Sequence, residues 1–138
     1  MNMFVVFKKP DGSLELVTPP LDGMILPGVT RDSVLTLARG HSQDKPIPNL
    51  PANLAVSERP VTMAEVKAAS AEGRLVELFG TGTAAVISPV DRIGYMGKDV
   101  LIPTGKDGMG PVSRPIWQEI VGRQTGAIDS DWSVVVSE

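Results

Sequence analysis

The sequence of 138 residues contains no cysteine and only one histidine. Without cysteine the chain can form no disulfide bond, zinc–thiolate site or thiol nucleophile, and we expect no metal site. The single histidine, His41, directly follows a helical pattern that ends at Gly40. We interpret His41 as a solvated side chain or a contact to the negative end of that helix, and a catalytic role is the alternative.

Aromatic residues make up only 4% of the chain, so its core must be built mainly from Val, Leu, Ile, Met and Ala. The net charge of −3 argues against nucleic acid or an anionic membrane as a partner. No apolar run approaches the roughly 20 residues that a membrane span needs, and the first residues lack the basic region of a signal peptide. With 42% hydrophobic and 21% charged residues, the composition is typical of a soluble globular protein, which we predict as a single domain over residues 1–138.

Residues 21–33 are the segment around which the rest of the chain is organised. An apolar run is stopped by Pro27 and Gly28, and a helical pattern starts within two residues. The first N–H groups of that helix, at Val29 and Thr30, have no intrahelical partner, and the helix dipole adds roughly half a positive charge there. Together with the Thr30 hydroxyl they form a predicted anion site, most often used for phosphate. The same features are also typical of an ordinary loop-to-helix junction.

A second segment rich in hydrogen-bond donors lies at residues 80–84, which read Gly-Thr-Gly-Thr-Ala between two apolar runs. Its small residues allow the backbone N–H groups to surround a phosphate or a carboxylate. A tight turn without a ligand is the alternative interpretation. Two such segments in one domain strengthen the prediction of an anion site.

The remaining patterns predict a mixed α/β (α+β) domain of short strands and capped helices, without an internal repeat. The strongest local signals are a turn at residues 10–12, a Thr62–Glu65 capping box and a helix-ending glycine at Gly126. Strands are predicted at residues 3–7, 14–18, 56–59, 74–79, 85–87 and 132–136, a hairpin within residues 91–102, helices at residues 29–40, 62–72 and 114–124, and loops at residues 42–55 and 105–110.

Side-chain periodicity predicts which residues face the core. In the strand at residues 74–79, Leu75, Glu77 and Phe79 are expected to share one face. The loop at residues 42–55 carries three prolines among polar residues and is expected to be exposed. The helix residues expected to be buried are Val34, Leu35, Ala38, Val66, Ala69, Ile116, Trp117, Ile120 and Val121, and those expected in solvent are Arg31, Asp32 and Arg39.

Four motifs carry a resemblance to a known family. They are Pro-Pro-Leu-Asp-Gly-Met-Ile-Leu-Pro-Gly-Val-Thr-Arg-Asp-Ser at residues 19–33, Ser-Glu-Arg with Thr-Met at residues 57–63, Gly-Arg-Leu-Val-Glu-Leu-Phe-Gly-Thr-Gly-Thr-Ala-Ala at residues 73–85, and Ile-Pro-Thr at residues 102–104. In this order, and over nearly the whole chain, they resemble the branched-chain amino acid aminotransferase family. The resemblance implies the class IV pyridoxal phosphate (PLP) fold, in particular its larger C-terminal domain. Lyases and D-amino acid aminotransferases share that fold, but the Pro-Pro-Leu-Asp-Gly run resembles the branched-chain members.

The resemblance also implies roles for residues of the two donor-rich segments. Val29 and Thr30 match family positions that hold the phosphate of PLP, and Thr83 matches a second phosphate contact. Ala84 matches a backbone N–H that receives the α-carboxylate of the substrate. Some family members carry a Cys-x-x-Cys pair just after this turn, but alanine and serine stand at positions 85 and 88, which excludes a thiol switch of that kind.

The implied activity is PLP-dependent amino-group transfer between an amino acid (Leu, Ile or Val) and the 2-oxo acid 2-oxoglutarate, in the cytoplasm or the mitochondrion. Met1 and Asn2 resemble the end of the family motif Glu-x-Gly-Thr-Met-Asn, so the Schiff-base lysine and the N-terminal domain are expected outside these residues. No residue of this chain is therefore expected to be catalytic, and we expect it to be inactive alone. A homodimer or pairing with a full-length relative is the expected assembly. A non-catalytic anion-binding or interaction module, and a fragment of a specialised-metabolism aminotransferase, are the alternatives.

Overall fold

The computed structural model describes residues 1–104 and 107–137, which form a five-stranded sheet, a two-stranded sheet and three helices. In chain order the elements are β1 (Asn2–Lys8), β2 (Leu14–Thr18), α1 (Val29–Gly40), β3 (Ala55–Glu58), α2 (Met63–Ala71), β4 (Leu75–Gly82), β5 (Val86–Pro89), β6 (Arg92–Tyr95), β7 (Lys98–Leu101) and α3 (Ser113–Thr125). The large sheet has the strand order β3-β2-β1-β4-β5, and β2 and β3 are its parallel pair. This mixed α+β architecture confirms the predicted fold class.

Strand β1 lies at the centre of the sheet because its apolar run supplies both faces. Successive side chains of a strand point to opposite faces, so Phe4 and Val6 enter one core while Val5 and Phe7 enter the other. Helices α1 and α3 cover the first face, where Phe4 stacks on Phe79 with ring centroids 5.3 Å apart. Helix α2 and the β6–β7 hairpin cover the second face. Burial on both faces explains why β1 is continuously hydrophobic rather than alternating.

Both predicted hairpins are confirmed. In the first, β1 and β2 pair antiparallel, with Val5 opposite Val17. In the second, β6 and β7 are joined by Met96 and Gly97, whose φ angles are 51° and 75°. Positive φ at both central residues is what a tight hairpin turn of this kind requires, and glycine adopts it without strain.

The faces of β4 differ from the prediction. The register of β4 against β1 shifts between Glu77 and Leu75, so that Val76 is an extra residue in β4. A bulge of this kind moves the side chains that follow it to the opposite face. Leu75 therefore packs in the core beside α2, whereas Phe79 packs beside α1 and α3. The prediction that Leu75, Glu77 and Phe79 share a face is wrong for Leu75.

Helix α1 begins and ends where the sequence predicts, and its apolar face is buried. Asp32 and Arg39 are exposed, as predicted. Arg31 was expected in solvent but is only 4% exposed, so that prediction is wrong. Its guanidinium donates to the Pro19 carbonyl oxygen at 3.0 Å and to the Glu58 carboxylate at 2.7 Å. These partners lie on other segments of the chain, which helical periodicity cannot reveal.

Helix α2 begins at its predicted capping box, and α3 ends at its predicted glycine. Oγ1 of Thr62 accepts a hydrogen bond from the Glu65 backbone N–H at 3.1 Å, as in a capping box, but the Glu65 carboxylate binds Arg59 instead of completing the box. Gly126 ends α3 in the left-handed conformation, with φ of 79°. The residues of α2 and α3 predicted to be inward are buried at Val66, Ala69, Ile116 and Ile120 and half-buried at Trp117 and Val121.

Residues 42–54 contain neither helix nor strand, as predicted, but they are held to the core rather than free in solvent. Ile47 and Leu50 are buried, and His41 binds the loop at two points. Nδ1 of His41 accepts from the Ile47 backbone N–H at 2.9 Å, and Nε2 lies 3.1 Å from the Pro51 carbonyl oxygen, to which it donates. The interpretation of His41 as a solvated side chain is therefore wrong, because the ring joins the end of α1 to the loop.

The predicted strand at residues 132–136 is not formed. These residues have no strand partner within the described part of the chain, and Val134, Val135 and Val136 are 86–94% exposed. β-Branched residues favour a strand, but a strand forms only where a neighbouring edge offers hydrogen bonds. The loop predicted at residues 105–110 includes residues 105 and 106, which lie outside the described residues. Across residues 1–104 and 107–137, no helix is long and apolar enough to cross a membrane.

Candidate anion-binding site

Among the described residues, the first turn of α1 has backbone N–H groups without hydrogen-bond partners. Gly28 is the N-cap residue and has no side chain that can accept a bond from them. The Asp32 N–H donates to the Gly28 carbonyl oxygen at 3.1 Å, and the N–H groups of Val29, Thr30 and Arg31 precede this first helical bond. Val29 is 82% exposed and Thr30 is half-buried, so a ligand can approach the turn directly.

Gly28 is required at this junction by a close contact rather than by its backbone angle. Its φ of −66° is open to any residue. A Cβ at position 28 would overlap Oδ1 of Asn2, whose Nδ2 donates to the Leu26 carbonyl oxygen at 2.9 Å. Asn2 is buried, so it holds the segment that leads into α1 against the start of β1.

The second donor-rich segment is divided between a strand and a turn. Strand β4 continues through Gly82, and residues 83–85 form the turn to β5. The prediction of one turn over residues 80–84 is therefore wrong for its first three residues, of which Thr81 is buried. Thr83 and Ala84 are exposed in the turn. Val86, just after it, has φ of 57°, which is a strained conformation for a β-branched residue.

Asn2 brings the two segments to the same end of the sheet. Its backbone lies opposite Thr81 in the β1–β4 ladder, two positions before Thr83, while its side chain binds the segment before α1. The start of α1 and the end of β4 thus border the first residues of β1. The sequence-predicted site residues at this end are Val29, Thr30, Thr83 and Ala84.

A buried arginine supplies positive charge behind the first turn of α1. Arg31 and Arg39 share the carboxylate of Glu58, at 2.7 and 2.9 Å, so the three side chains carry one net positive charge. The hydrogen bond from Arg31, followed by that from Arg39, holds the pKa of the Glu58 carboxyl below its usual range. Asp32, exposed on the same turn, carries an opposing negative charge.

Two cavities flank this turn. One, of about 490 Å³, lies between Val29 and Ser33 on one side and Arg123 and Trp132 on the other. The Arg123 guanidinium lies 5.5 Å from the centre of the Trp132 ring, and this contact holds the C-terminal segment against α3. The other cavity, of about 240 Å³, is lined by Leu21, Pro27, Gly28, Val29, Arg31 and Asp32.

Sequence reasoning missed Asn2 and Arg31. Each carries a weak signal: Asn2 is an amide at the start of an apolar strand, and Arg31 is a cation in the first turn of a helix, where the dipole disfavours it. Neither signal identifies a partner without the tertiary structure. In the part of the chain that the structure describes, no group of three or more Asp, Glu and His residues is placed to hold a metal ion.

The chain is similar to branched-chain-amino-acid aminotransferases over its whole length. It is 44% identical over 138 residues to the protein of Dictyostelium discoideum, which covers 99% of this chain and 34% of that protein. The mitochondrial protein of Rattus norvegicus is 45% identical over 99% of this chain and 32% of its own length. The cytosolic protein of Saccharomyces cerevisiae is 43% identical over 100% of this chain and 36% of its own length. The chain therefore spans about a third of the length of the curated relatives that it matches.

Two solved structures share its fold. A putative branched-chain amino acid aminotransferase from Thermotoga maritima superposes with a TM-score of 0.50 and 28% identity, over 85% of this chain and 33% of that one. An aminotransferase from Brucella abortus, bound to the cofactor PLP, superposes with a TM-score of 0.53 and 21% identity. The superposition covers 86% of this chain and 32% of that one. At that identity the second likeness shows the fold alone.

No protein-family model matches the chain. The identity to the relatives nevertheless extends along almost every residue of it, and the fold is that of class IV aminotransferases. Both findings agree with the resemblance carried by residues 19–33 and 73–85. By sequence and by fold, this chain is similar to one segment, about a third of the length, of branched-chain-amino-acid aminotransferases.

Proposed function

We propose that the chain forms the part of a branched-chain aminotransferase that holds the phosphate of PLP, and that it corresponds to the C-terminal domain. The observation that carries the proposal is the uncapped first turn of α1, which follows a segment bonded to Asn2, the residue opposite Thr81 of β4. The relatives, 42–46% identical along the chain, support it because they bear the aminotransferase name.

The residues at this end of the sheet fit a phosphate. The N–H groups of Val29 and Thr30 point out of a helix N-terminus, and Gly28 has no side chain to accept hydrogen bonds from them. The hydroxyl groups of Thr30 and Thr83 provide further donors. We assign the Ala84 N–H to the α-carboxylate of the amino acid or 2-oxo acid, because it follows Thr83 in the same exposed turn.

When bound, PLP supplies the electron sink that amino-group transfer requires. The residues of this chain hold and orient it through its phosphate, and Ala84 orients the substrate through its carboxylate. Proton transfer needs a lysine amine, and none of the lysines of this chain stands in the family motif for it. We therefore propose that the chain acts on Leu, Ile or Val and 2-oxoglutarate only together with residues outside it. The cytosolic and mitochondrial relatives suggest an intracellular location. For the assembly, we propose a homodimer or pairing with a full-length relative.

The phosphate site is tested by titrating the chain with inorganic phosphate while following backbone amides by NMR. A helix end contributes about 1–2 kcal/mol to anion binding, so phosphate should bind weakly, with a dissociation constant on the order of tens of millimolar or higher. The amides of Val29, Thr30 and Thr83 should shift with one common constant. Thr83→Val should weaken binding, whereas Thr36→Val, at an exposed position further along α1, should not. If phosphate shifts the signals of other amides but not those of Val29, Thr30 and Thr83, the assignment of the phosphate site is wrong.

The activity is tested with leucine, 2-oxoglutarate and PLP. The chain alone should form no branched-chain 2-oxo acid above a PLP-only control, because general acid–base catalysis typically contributes about 10²–10⁴-fold and its amine is missing. The chain joined to the remaining portion of a matched relative should show turnover. Phosphate binding without turnover in the joined protein would favour the non-catalytic module. Turnover by the chain alone, abolished by changing one of its own lysines, would show that it carries its own catalytic amine.

A further inference from the structure

We propose that Arg31 is the positioning residue of this phosphate site. It holds the approach to α1 in place and supplies positive charge behind the free N–H groups of Val29 and Thr30. The inference rests on the proposed phosphate site and goes beyond it, because the family motif gives Arg31 no role.

The placement of Arg31 is unfavourable on two counts. It is the third residue of α1, where the helix dipole disfavours a cation. It is also only 4% exposed, and burying a charge is costly unless the charge is well paired. A solvent-facing arginine would avoid both penalties. Glu58 pairs with Arg31 but is shared with Arg39, so a further anion at the helix start would compensate both the remaining positive charge and the dipole.

The contacts of Arg31 close the segment that precedes α1 into a loop. This segment leaves β2 at Pro19 and enters α1 at Gly28. The Arg31 guanidinium, on the first turn of α1, donates to the Pro19 carbonyl oxygen at 3.0 Å and to Glu58 on β3 at 2.7 Å. One side chain therefore ties both ends of the segment to the sheet, and this fixes the direction of the Val29 and Thr30 N–H groups.

One donor of Arg31 remains free. Within the described residues, its Nε is buried and has no hydrogen-bond partner. The side chain lines the cavity of about 240 Å³ together with Gly28 and Val29, at the open end of the helix. This unpaired donor points to a missing acceptor, independently of the helix end. Since Arg39 also binds Glu58, the single carboxylate leaves one net positive charge at this place, opposed by the exposed Asp32.

The test compares Arg31→Lys with Arg39→Lys in the phosphate titration, at concentrations where sedimentation shows a monomer. Both changes keep the positive charge that pairs with Glu58. Only Arg31, however, also donates to the Pro19 carbonyl oxygen and has a buried Nε–H without a partner among the described residues. Lysine cannot replace a guanidinium that binds several partners at once. We expect the dissociation constant for inorganic phosphate to rise by about fivefold to tenfold in R31K, as for the loss of one charge-assisted hydrogen bond. In R39K it should stay within about twofold of wild type.

A second measurement needs only the wild-type chain and applies even if R31K does not fold. A buried Nε–H exchanges slowly, so the Arg31 Nε–H signal should be visible by NMR and should shift with phosphate at the same constant as the Val29 and Thr30 amides. An Arg31 Nε–H signal that stays still while those amides move would overturn the inference but leave the phosphate site intact. So would a folded R31K that binds phosphate as wild type does. Val29 and Thr30 amides that do not move in wild type would overturn the phosphate site itself, and the role of Arg31 with it.

Discussion

At the scale of single residues, Glu77 joins the sheet to a helix. Its buried carboxylate accepts hydrogen bonds from the backbone N–H groups of Val112 and Ser113, at 2.9 and 2.7 Å, and from the Ser113 hydroxyl at 2.8 Å. These N–H groups lie at the start of α3, so a side chain of β4 satisfies them. Burial raises the pKa of the Glu77 carboxyl above its usual range, and the hydrogen bonds from Ser113 and Val112 oppose that rise.

Substitutions at Glu77 separate its bonding from its charge. Glu77→Ala should lower the free energy of unfolding by about 2–4 kcal/mol, because two buried N–H groups lose their acceptor. Glu77→Gln keeps a hydrogen-bond acceptor and should lower the free energy of unfolding by less than about 1.5 kcal/mol. Because the folded-state pKa is raised, the stability from Glu77 is fully present below the usual glutamate pKa of about 4.3 and is lost as pH rises through the raised value.

Urea unfolding of wild type and E77Q between about pH 4 and pH 8 measures this effect. Wild type should lose stability relative to E77Q as the pH rises. A difference that does not change with pH would mean that Glu77 has the same pKa in the folded and unfolded chain.

At the scale of elements, the three described helices begin in different ways. Thr62 caps α2 from the adjacent position in sequence, and Glu77 satisfies the start of α3 from another strand. Helix α1 has only a glycine at its N-cap and keeps its first N–H groups available. The helix whose start borders the proposed ligand is thus the one without an internal acceptor there.

The far end of α1 depends on His41, which binds both sides of the loop at residues 42–54. His41→Ala should lower the free energy of unfolding by about 1–2 kcal/mol, because the buried Ile47 segment loses its acceptor. Hydrogen exchange of the Ile47 amide should become faster as well. Ser42→Ala is the matched control, since Ser42 accepts only an exposed bond from the Lys45 N–H. Equal effects of the two changes would show that His41 does not hold the loop.

At the scale of the whole molecule, exposed apolar residues are concentrated at the end that carries the candidate site. Of the thirteen large hydrophobic residues that are exposed in the described chain, nine are the N-terminal residue, residues of the segment before α1, the first residue of α1 or residues of the C-terminal segment. The Asn2–Leu26 bond and the cavity between Val29 and Trp132 connect these segments. The nine residues are Met1, Leu21, Met24, Leu26, Val29, Trp132, Val134, Val135 and Val136.

Monomeric proteins rarely expose apolar patches larger than a few hundred Å², so we expect the chain to self-associate when purified alone. Sedimentation over a range of concentrations measures this. Val135→Lys should reduce self-association because it places a charge within the apolar end. Met96→Lys, at another highly exposed position on the β6–β7 hairpin, should leave it unchanged. A wild-type chain that stays monomeric at high concentration would show that this surface needs no partner.

Local signals along the chain determined the positions of α1, α2, both hairpins and the donor-rich start of α1. Pro27 with Gly28, Thr62 with Glu65, and Gly126 act within a few residues of themselves, so their effects are readable in the sequence. The motifs around these signals were also sufficient to indicate the family.

Only the tertiary structure decided the partners of the buried polar groups. Asn2, Arg31 and His41 each bind residues brought close by the packing of separate segments, and periodicity alone placed Arg31 in solvent. The bulge at Val76 and the unpaired residues 132–136 have the same cause, because strand register and strand pairing depend on a neighbouring edge. Backbone propensity acts over a few residues, whereas desolvated polar groups take whichever partner the folded chain brings within hydrogen-bonding distance.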